Sequence, residues 1–206
     1  MSNKSSKKPF IVQDKYFQEA KKLGYRARSA FKLIEIQDHF NLIKPNYNVL
    51  DIASAPGSFI QIIKKIVGLE AKVVGIDLQK IEKFPQSNIF LLQEDVNNTD
   101  KIMEFLNGIG IKQFDLITSD IAPNTTGITG VDQYKSVELN LMIVKLADTF
   151  LKKGHNLVLK VFVGEDINDL TSVLKTKYKK ISRFKPKSCR DRSFEEYFVC
   201  LEKIWD

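Results

Sequence analysis

Glycine is scarce where a nucleotide-binding sequence needs it most. The chain of 206 residues has 10 glycines, and only one of them falls in the stretch LDIASAPGSFIQ at 50–61. There an apolar run, YNVLDI, ends in an acid, passes through small residues and becomes an apolar helical pattern, the order of a strand–loop–helix nucleotide site. A dinucleotide fold puts G-x-G-x-x-G at this turn so that backbone closes on a pyrophosphate. Here the corresponding residues are Ala53, Ala55 and Gly57, followed by Ser58. Pyrophosphate is a poor fit, and a nicotinamide oxidoreductase becomes a remote reading.

Cysteine is nearly missing as well. Cys189 and Cys200 form no C-x-x-C or Cys/His grouping, which argues against a disulfide framework and a zinc site and leaves ordinary reduced thiols. No apolar run approaches the roughly eighteen residues of a membrane span. Internal repeats and Pro/Gly linkers are absent beyond residue 14, and 43% hydrophobic with 28% charged residues suits one soluble domain. The expected location is intracellular, in the cytoplasm or in an organelle such as the mitochondrion.

Acids are missing from the first dozen residues, MSNKSSKKPFIV. Residues 1–13 therefore read as a basic tail, with a transit-peptide remnant as the alternative, and 14–206 as a single domain. The net charge of +7 is confined to residues 1–32, where nine Lys/Arg face only Asp14 and Glu19. A second cluster, Lys175 to Arg192, has nine basic residues with Asp191 as its one acid. Charge runs are often solvated faces, but two of them flanking a balanced core favour a polyanion partner, because phosphate neutralisation is the main source of nucleic-acid affinity.

Short β-rich runs alternate with helical patterns along the rest of the chain. YNVLDI (47–52), KVVGID (72–77), NIFLLQ (88–93), FDLITSD (114–120), NLVLKVFV (156–163), KKISRF (179–184) and YFVCLEKI (197–204) read as strands. The clearest helix spans 132–152, on the periodicity of Val137, Leu141, Val144, Ala147 and Leu151, with Gly154 as its stop. Others are expected at 58–67, 99–107 and 166–177. The alternation predicts an α/β fold, a doubly wound and mainly parallel sheet with helices on both faces.

Ligands of such sheets bind beyond the carboxyl ends of the strands. Those ends carry Asp51, Asp77, Asp95 and Asp120. For any one of them a turn or cap role is as good an explanation. Four in succession favour a cationic ligand with ribose hydroxyls, which S-adenosylmethionine is.

The segments GYRARSAFKL (24–33), LDIASAPGSF (50–59), SDIAPN (119–124), LVLKVF (157–162) and SFEEYFVC (193–200) together resemble the FtsJ-like ribose 2′-O-methyltransferases, in order and over nearly the whole chain. The resemblance implies a Rossmann-like S-adenosylmethionine-dependent methyltransferase fold with a seven-stranded sheet, and cofactor contacts at Gly57, Phe59, Asp77, Asp95 and Asp120, to which the strand-end reading adds Asp51. It implies a catalytic tetrad of Lys32, Asp120, Lys160 and Glu195, with Glu196 as the neighbouring alternative to the last. The compact length is most similar to members that modify large-subunit ribosomal RNA, uridine being one candidate nucleotide; transfer RNA is the alternative substrate. The chain departs from the family pattern where Ala53 replaces a glycine, and where Gly57, Ser58 and Phe59 replace a Gly-Gly-Trp run. That altered loop motivates a different reading, an RNA-binding ribosome-assembly factor without turnover.

Methyl transfer to a 2′-hydroxyl needs a better nucleophile than the hydroxyl itself. Lys160, at the end of an apolar strand, is the candidate base; alternatively it and Lys32 stay cationic and orient the ribose. If 26–40 is a helix, Ala27, Phe31 and Ile34 form its apolar stripe, and Arg28 and Lys32 stack at i, i+4 on another face, a mild repulsion that an RNA phosphate would relieve. Candidate RNA contacts are Arg26, Arg28 and Arg192 in the basic clusters and Asn124 in the SDIAPN loop, with Tyr16 and Tyr25 among the cations. No metal and no membrane are expected, and the protein is expected to act as a monomer on ribosomal RNA or a ribosomal particle.

Overall fold

The alternating runs become seven strands: β1 (Val49–Ile52), β2 (Val73–Asp77), β3 (Ile89–Gln93), β4 (Phe114–Ser119), β5 (Leu151–Phe162), β6 (Tyr178–Phe184) and β7 (Glu195–Lys203). The computed structural model describes residues 15–190 and 193–205; the basic tail at 1–13 lies outside them. The strands form one sheet in the order β3-β2-β1-β4-β5-β7-β6. β1 to β5 run parallel, and β7 inserts antiparallel between β5 and β6. The helices are α1 (Lys15–Lys22), α2 (Ser29–Phe40), α3 (Ser58–Val67), α4 (Thr99–Gly108), α5 (Thr129–Phe150) and α6 (Ile167–Lys175).

Side chains alternate faces along a strand, and the central strands are apolar on both, as a doubly covered sheet requires. Leu50, Ile52, Val74, Ile76, Leu157, Leu159 and Val161 pack with residues of α4, α5 and α6. Val49, Val73, Leu116, Val158 and Val199 pack on the other face with α2 and α3. Among the described residues no helix is long and apolar enough to cross a membrane. Cys189 and Cys200 are both buried free thiols.

Three local expectations change. α2 starts at Ser29, and its buried residues are Ala30, Lys32, Leu33 and Ile36. Ala27, Phe31 and Ile34 are only half-buried. The stripe is rotated because Phe31 meets the rings of Tyr16 and Tyr25, at centroid distances of 5.5 and 5.6 Å, and covers α1, a helix the periodicity did not reveal. Gly154 does not end a helix. α5 stops at Phe150, Leu151 opens β5, and Gly154 (φ +77°) lies in an irregular stretch where the β4–β5 register slips between Phe114 and Leu116.

The end of α5 is closed by a buried lysine. Lys203, 1% exposed, donates to the carbonyls of Ala147 (3.1 Å), Asp148 (2.7 Å) and Leu151 (2.7 Å). The last carbonyls of a helix lack a donor within it; the ammonium meets that of Asp148 and, just beyond α5, that of Leu151, adds to the Leu151 N–H already on Ala147, and brings a charge of the favourable sign for a helix C-terminus. Replacing Lys203 with Met is expected to cost about 2–4 kcal/mol of stability, since it strands buried acceptors. Urea unfolding checks this as a lowered midpoint at unchanged m-value.

Candidate active site

Because the side-chain period of a strand is two, the face of the sheet beneath α2 and α3 collects a particular set of residues. Thr118 and Asp120 follow Leu116 on β4 and just beyond it, Lys160 follows Val158 on β5, and Glu195 and Tyr197 precede Val199 on β7. Lys160 and Tyr197 are direct partners across the β5–β7 ladder. Lys32 reaches the same place from α2. The Lys32 Nζ is 2.6 Å from Glu195 Oε1, and the Lys160 Nζ is 3.1 Å from Asp120 Oδ1 and also donates to the Asp120 carbonyl. The Tyr197 hydroxyl donates to Asp120 Oδ1 at 2.5 Å. Glu196 faces the opposite way and pairs with Arg183 at 2.8 Å.

The two lysines are nearly out of solvent, at 6% and 7% exposure for Lys32 and Lys160, and charges so placed must be compensated. Burial opposes the charge on Lys32, but Asp120 and Glu195 outweigh it and hold its pKa above the ordinary lysine value. Burial likewise opposes ionisation of Asp120, yet Lys160, Lys32 and the Tyr197 hydroxyl bring its pKa below normal. Glu195 is also below normal: Lys32 and the hydrogen-bonding Cys189 thiol overcome its burial. In return, burial and the Glu195 carboxylate push the Cys189 thiol up to about 12. Lys32 is thus a fixed cation and Asp120 and Glu195 fixed anions at neutral pH.

Beside this network lies a cavity of about 360 Å³, lined by Ala53, Ala55, Asp77, Leu78, Asp95, Asp120, Asn124 and Met142 among others. The size suits a nucleoside-sized ligand. Asp77 accepts the backbone N–H groups of Ala55 (2.8 Å) and Gln79 (2.7 Å), which fixes both flanking loops. Asp95 Oδ1 accepts from both the backbone and the side-chain nitrogen of Asn97 at 2.9 Å. S-adenosylmethionine fits this donor set. Three carboxylates suit its hydroxyl and cationic groups, and Leu78, 67% exposed on the cavity lip, supplies apolar surface for an aromatic base.

The other three residues expected at the cofactor take different places. Asp51 is 1% exposed and lies within the sheet, where Thr118 Oγ1 donates to its Oδ1 at 2.7 Å and its Oδ2 has no partner. Burial, reinforced by Asp120 and Asp77, raises its pKa well above normal against the opposing Thr118 bond. Phe59 is buried in the cluster with α2, and its ring is not in the cavity lining. Gly57 (φ +104°) also lies outside the lining; a Cβ there would meet the Arg26 guanidinium at 2.7 Å and the Phe84 ring at 2.9 Å. Ala53 holds a left-handed φ of +57°. The loop thus keeps a conformation favoured by glycine, at a cost of about 1 kcal/mol, which weakens the reading of a disabled cofactor site.

Of the candidate RNA contacts, Asn124 is exposed on the cavity lip. Arg28 donates to the Ser188 carbonyl at 3.0 Å, and Glu35 of α2 accepts the N–H groups of Lys187 and Ser188. These contacts seat the 187–188 segment of the second basic cluster against Arg28 and α2 beside the tetrad, with Lys185, Lys187 and Arg190 exposed. The Arg28–Lys32 repulsion is relieved within the protein, by Glu195 on Lys32. Tyr25 packs on Phe31 and under Lys65. Arg26 is engaged by the protein itself, and Arg192 lies outside the described residues. No group of three or more His, Cys, Asp or Glu placed to hold a metal occurs among the described residues.

Fold and cavity together define a Rossmann-like methyltransferase. The FtsJ-like methyltransferase family model matches residues 25–203. A Methanobrevibacter smithii protein named ribosomal RNA large subunit methyltransferase E is 36% identical over 189 residues, 92% of this chain and 90% of its own length. A Plasmodium falciparum crystal structure described as a ribosomal RNA methyltransferase superposes with a TM-score of 0.75 at 30% identity, covering 88% of this chain and all of that one. Aeropyrum pernix fibrillarin, solved with S-adenosylmethionine bound, shares the fold at a TM-score of 0.58 and 15% identity, over 84% of this chain and 76% of its own. The chain belongs to the FtsJ-like methyltransferase family.

Sequence reasoning passed over Tyr197, Ser136 and Asn140 as site residues. Tyr197 shares a strand face with Glu195, a signal already in the spacing of two. Asn140, fully buried in α5, donates to the carbonyls of Lys160 (2.9 Å) and Ser136 (2.8 Å), and Ser136 accepts the Phe162 N–H at 3.0 Å. Its signal is a polar residue between Val137 and Val144 on an otherwise apolar stripe.

The depressed pKa values of Asp120 and Glu195 fix a sign for acid stability. The stabilisation they bring is complete above their unfolded values, near 4, and is lost as pH falls through the lower folded values. Glu195→Gln removes one of the two contributions. Urea titrations at a series of pH values are expected to show a shallower acid loss of unfolding free energy in this variant than in the wild type.

Proposed function

We propose that the chain transfers the methyl group of S-adenosylmethionine to a ribose 2′-hydroxyl of large-subunit ribosomal RNA. The observation that carries this reading is the buried Lys160 amine bound to Asp120, a residue that also lines the cavity. The names of the relatives support ribosomal RNA as the substrate class. In this reading the protein acts as a monomer, on RNA or on a ribosomal particle. That activity belongs where large-subunit RNA is assembled, in the cytoplasm or in an organelle.

The cofactor supplies a methyl group on positively charged sulfur, already open to displacement. The protein's task is to hold the hydroxyl in line and deal with its proton. A lysine ammonium has three N–H donors, and Lys160 directs hydrogen bonds at two oxygens of Asp120. Its third direction meets the substrate. As a neutral amine, Lys160 would accept the proton of a hydroxyl placed there and so ready its oxygen for the displacement. As an ammonium, it aims the oxygen and the proton leaves to water. Asp120 and Tyr197 keep the amine in place in either case, and Lys32, held cationic by Asp120 and Glu195, attracts the oxygens of the target ribose or its phosphate. Arg28 and Asn124 remain the RNA contacts of this reading, with the basic 185–190 surface following the phosphate backbone.

Two measurements test the proposal. Calorimetric titration with S-adenosylmethionine is expected to show saturable binding, weakened about 10- to 100-fold in Asp77→Ala and in Asp120→Ala by the loss of charged hydrogen-bond acceptors; no binding by the wild type contradicts it. Lys160→Arg separates the two proton routes, because an arginine stays protonated in a protein. Abolished methyl transfer with cofactor binding retained marks Lys160 as the base, and a reduced but measurable rate marks it as an orienting cation.

A further inference from the structure

Arg26 carries a different role from that of a basic residue awaiting a phosphate. Its Nη1 donates to the carbonyls of Pro56 (2.9 Å) and Glu82 (2.8 Å), and its Nη2 to that of Lys83 (3.0 Å). The guanidinium carbon lies 3.8 Å from the centroid of the Phe84 ring, a cation–π stack available to a planar cation. The backbone of Arg26 is pinned too: its N–H donates to Gln61 Oε1 at 2.7 Å, and Gln61 Nε2 donates to the Gly24 carbonyl at 2.9 Å.

The two loops that Arg26 joins both border the cavity. One runs from Ala53 to Gly57, and its Ala53 and Ala55 are in the lining; the other follows β2, and its Leu78 and Gln79 are in the lining. Gly57 makes the contact close. A Cβ at that position would approach Arg26 Nη1 to 2.7 Å and the Phe84 ring to 2.9 Å, so any side chain there displaces the guanidinium, the ring or the loop. With the left-handed φ of +104°, this close approach accounts for the one glycine in the 50–61 stretch. We infer that Arg26 is a positioning residue for the cofactor cavity, a clamp across its two loops seated on Phe84 and Gly57, and not a ligand of the RNA.

The inference rests on the reading of the cavity as the S-adenosylmethionine site, and its test separates the two. Arg26→Met, Arg26→Lys and Phe84→Leu are compared with the wild type, all confirmed as folded by circular dichroism. Calorimetry measures S-adenosylmethionine affinity. Fluorescence anisotropy measures binding of a labelled single-stranded RNA of about twenty nucleotides, without cofactor and over a range of salt, where each lost phosphate contact lowers the slope by about one.

The expected result is a cofactor affinity at least tenfold weaker in Arg26→Met, with RNA affinity and its salt slope unchanged. Phe84→Leu weakens cofactor binding in the same direction, and the Arg26→Met/Phe84→Leu double variant is less than additive because both changes break one contact. Arg26→Lys does not restore cofactor affinity, since an ammonium cannot span the same carbonyls and stack on the ring. The inference is overturned if cofactor affinity stays within twofold of wild type while RNA affinity falls with a shallower salt slope, or if lysine rescues binding. Absence of cofactor binding by the wild type itself defeats the reading of the cavity, and the inference with it.

Discussion

Four charged side chains, two lysines and two carboxylates, sit together on one face of the sheet with little access to water, and the architecture around them follows from the need to neutralise them. A buried ion pair gains little if well made and costs several kcal/mol if one partner is lost. Lys32–Glu195 and Lys160–Asp120 are therefore mutual requirements. Each pair spans elements far apart in the chain: α2 with β7, and β5 with the end of β4. The order of the central strands, β4-β5-β7, is what makes these meetings geometrically available.

Around that core the site is divided by charge. Beyond the strand ends Asp77 and Asp95 join Asp120 to make an acidic cavity suited to a cationic cofactor. On the near side the 185–190 segment, fastened to the start of α2 by Arg28–Ser188 and the Glu35 bonds, presents the exposed Lys185, Lys187 and Arg190, a basic surface suited to phosphates. Asp120 belongs to both regions. It lines the cavity and anchors Lys160, so the methyl source and the group that handles the hydroxyl share one carboxylate.

Much of this was legible in the sequence because strands write their geometry at a period of two. The seven β-rich runs match the seven strands to within a few residues, except that β5 begins earlier, and the spacing of Glu195 and Tyr197 already puts both on one face. What stayed hidden depends on contacts between segments. The register of α2 was set by Phe31 turning to Tyr16 and Tyr25; Gly154 looked like a helix stop and is part of an irregularity in β5. Asp51 and Phe59 lie in the motif loop region but face the interior. The partners of Arg26 are 30 to 57 residues away, beyond the reach of any local pattern, so its charge alone suggested RNA.

The central claim is that the network delivers a methyl group to a ribose oxygen. The direct measurement is to incubate the protein with large-subunit ribosomal RNA or particles and methyl-labelled S-adenosylmethionine, then hydrolyse the RNA in alkali. A 2′-O-methyl group removes the nucleophile that alkali needs, so the account predicts label in alkali-resistant dinucleotides, absent with Lys160→Met. Label released in mononucleotides would place the methyl group on a base and contradict the account.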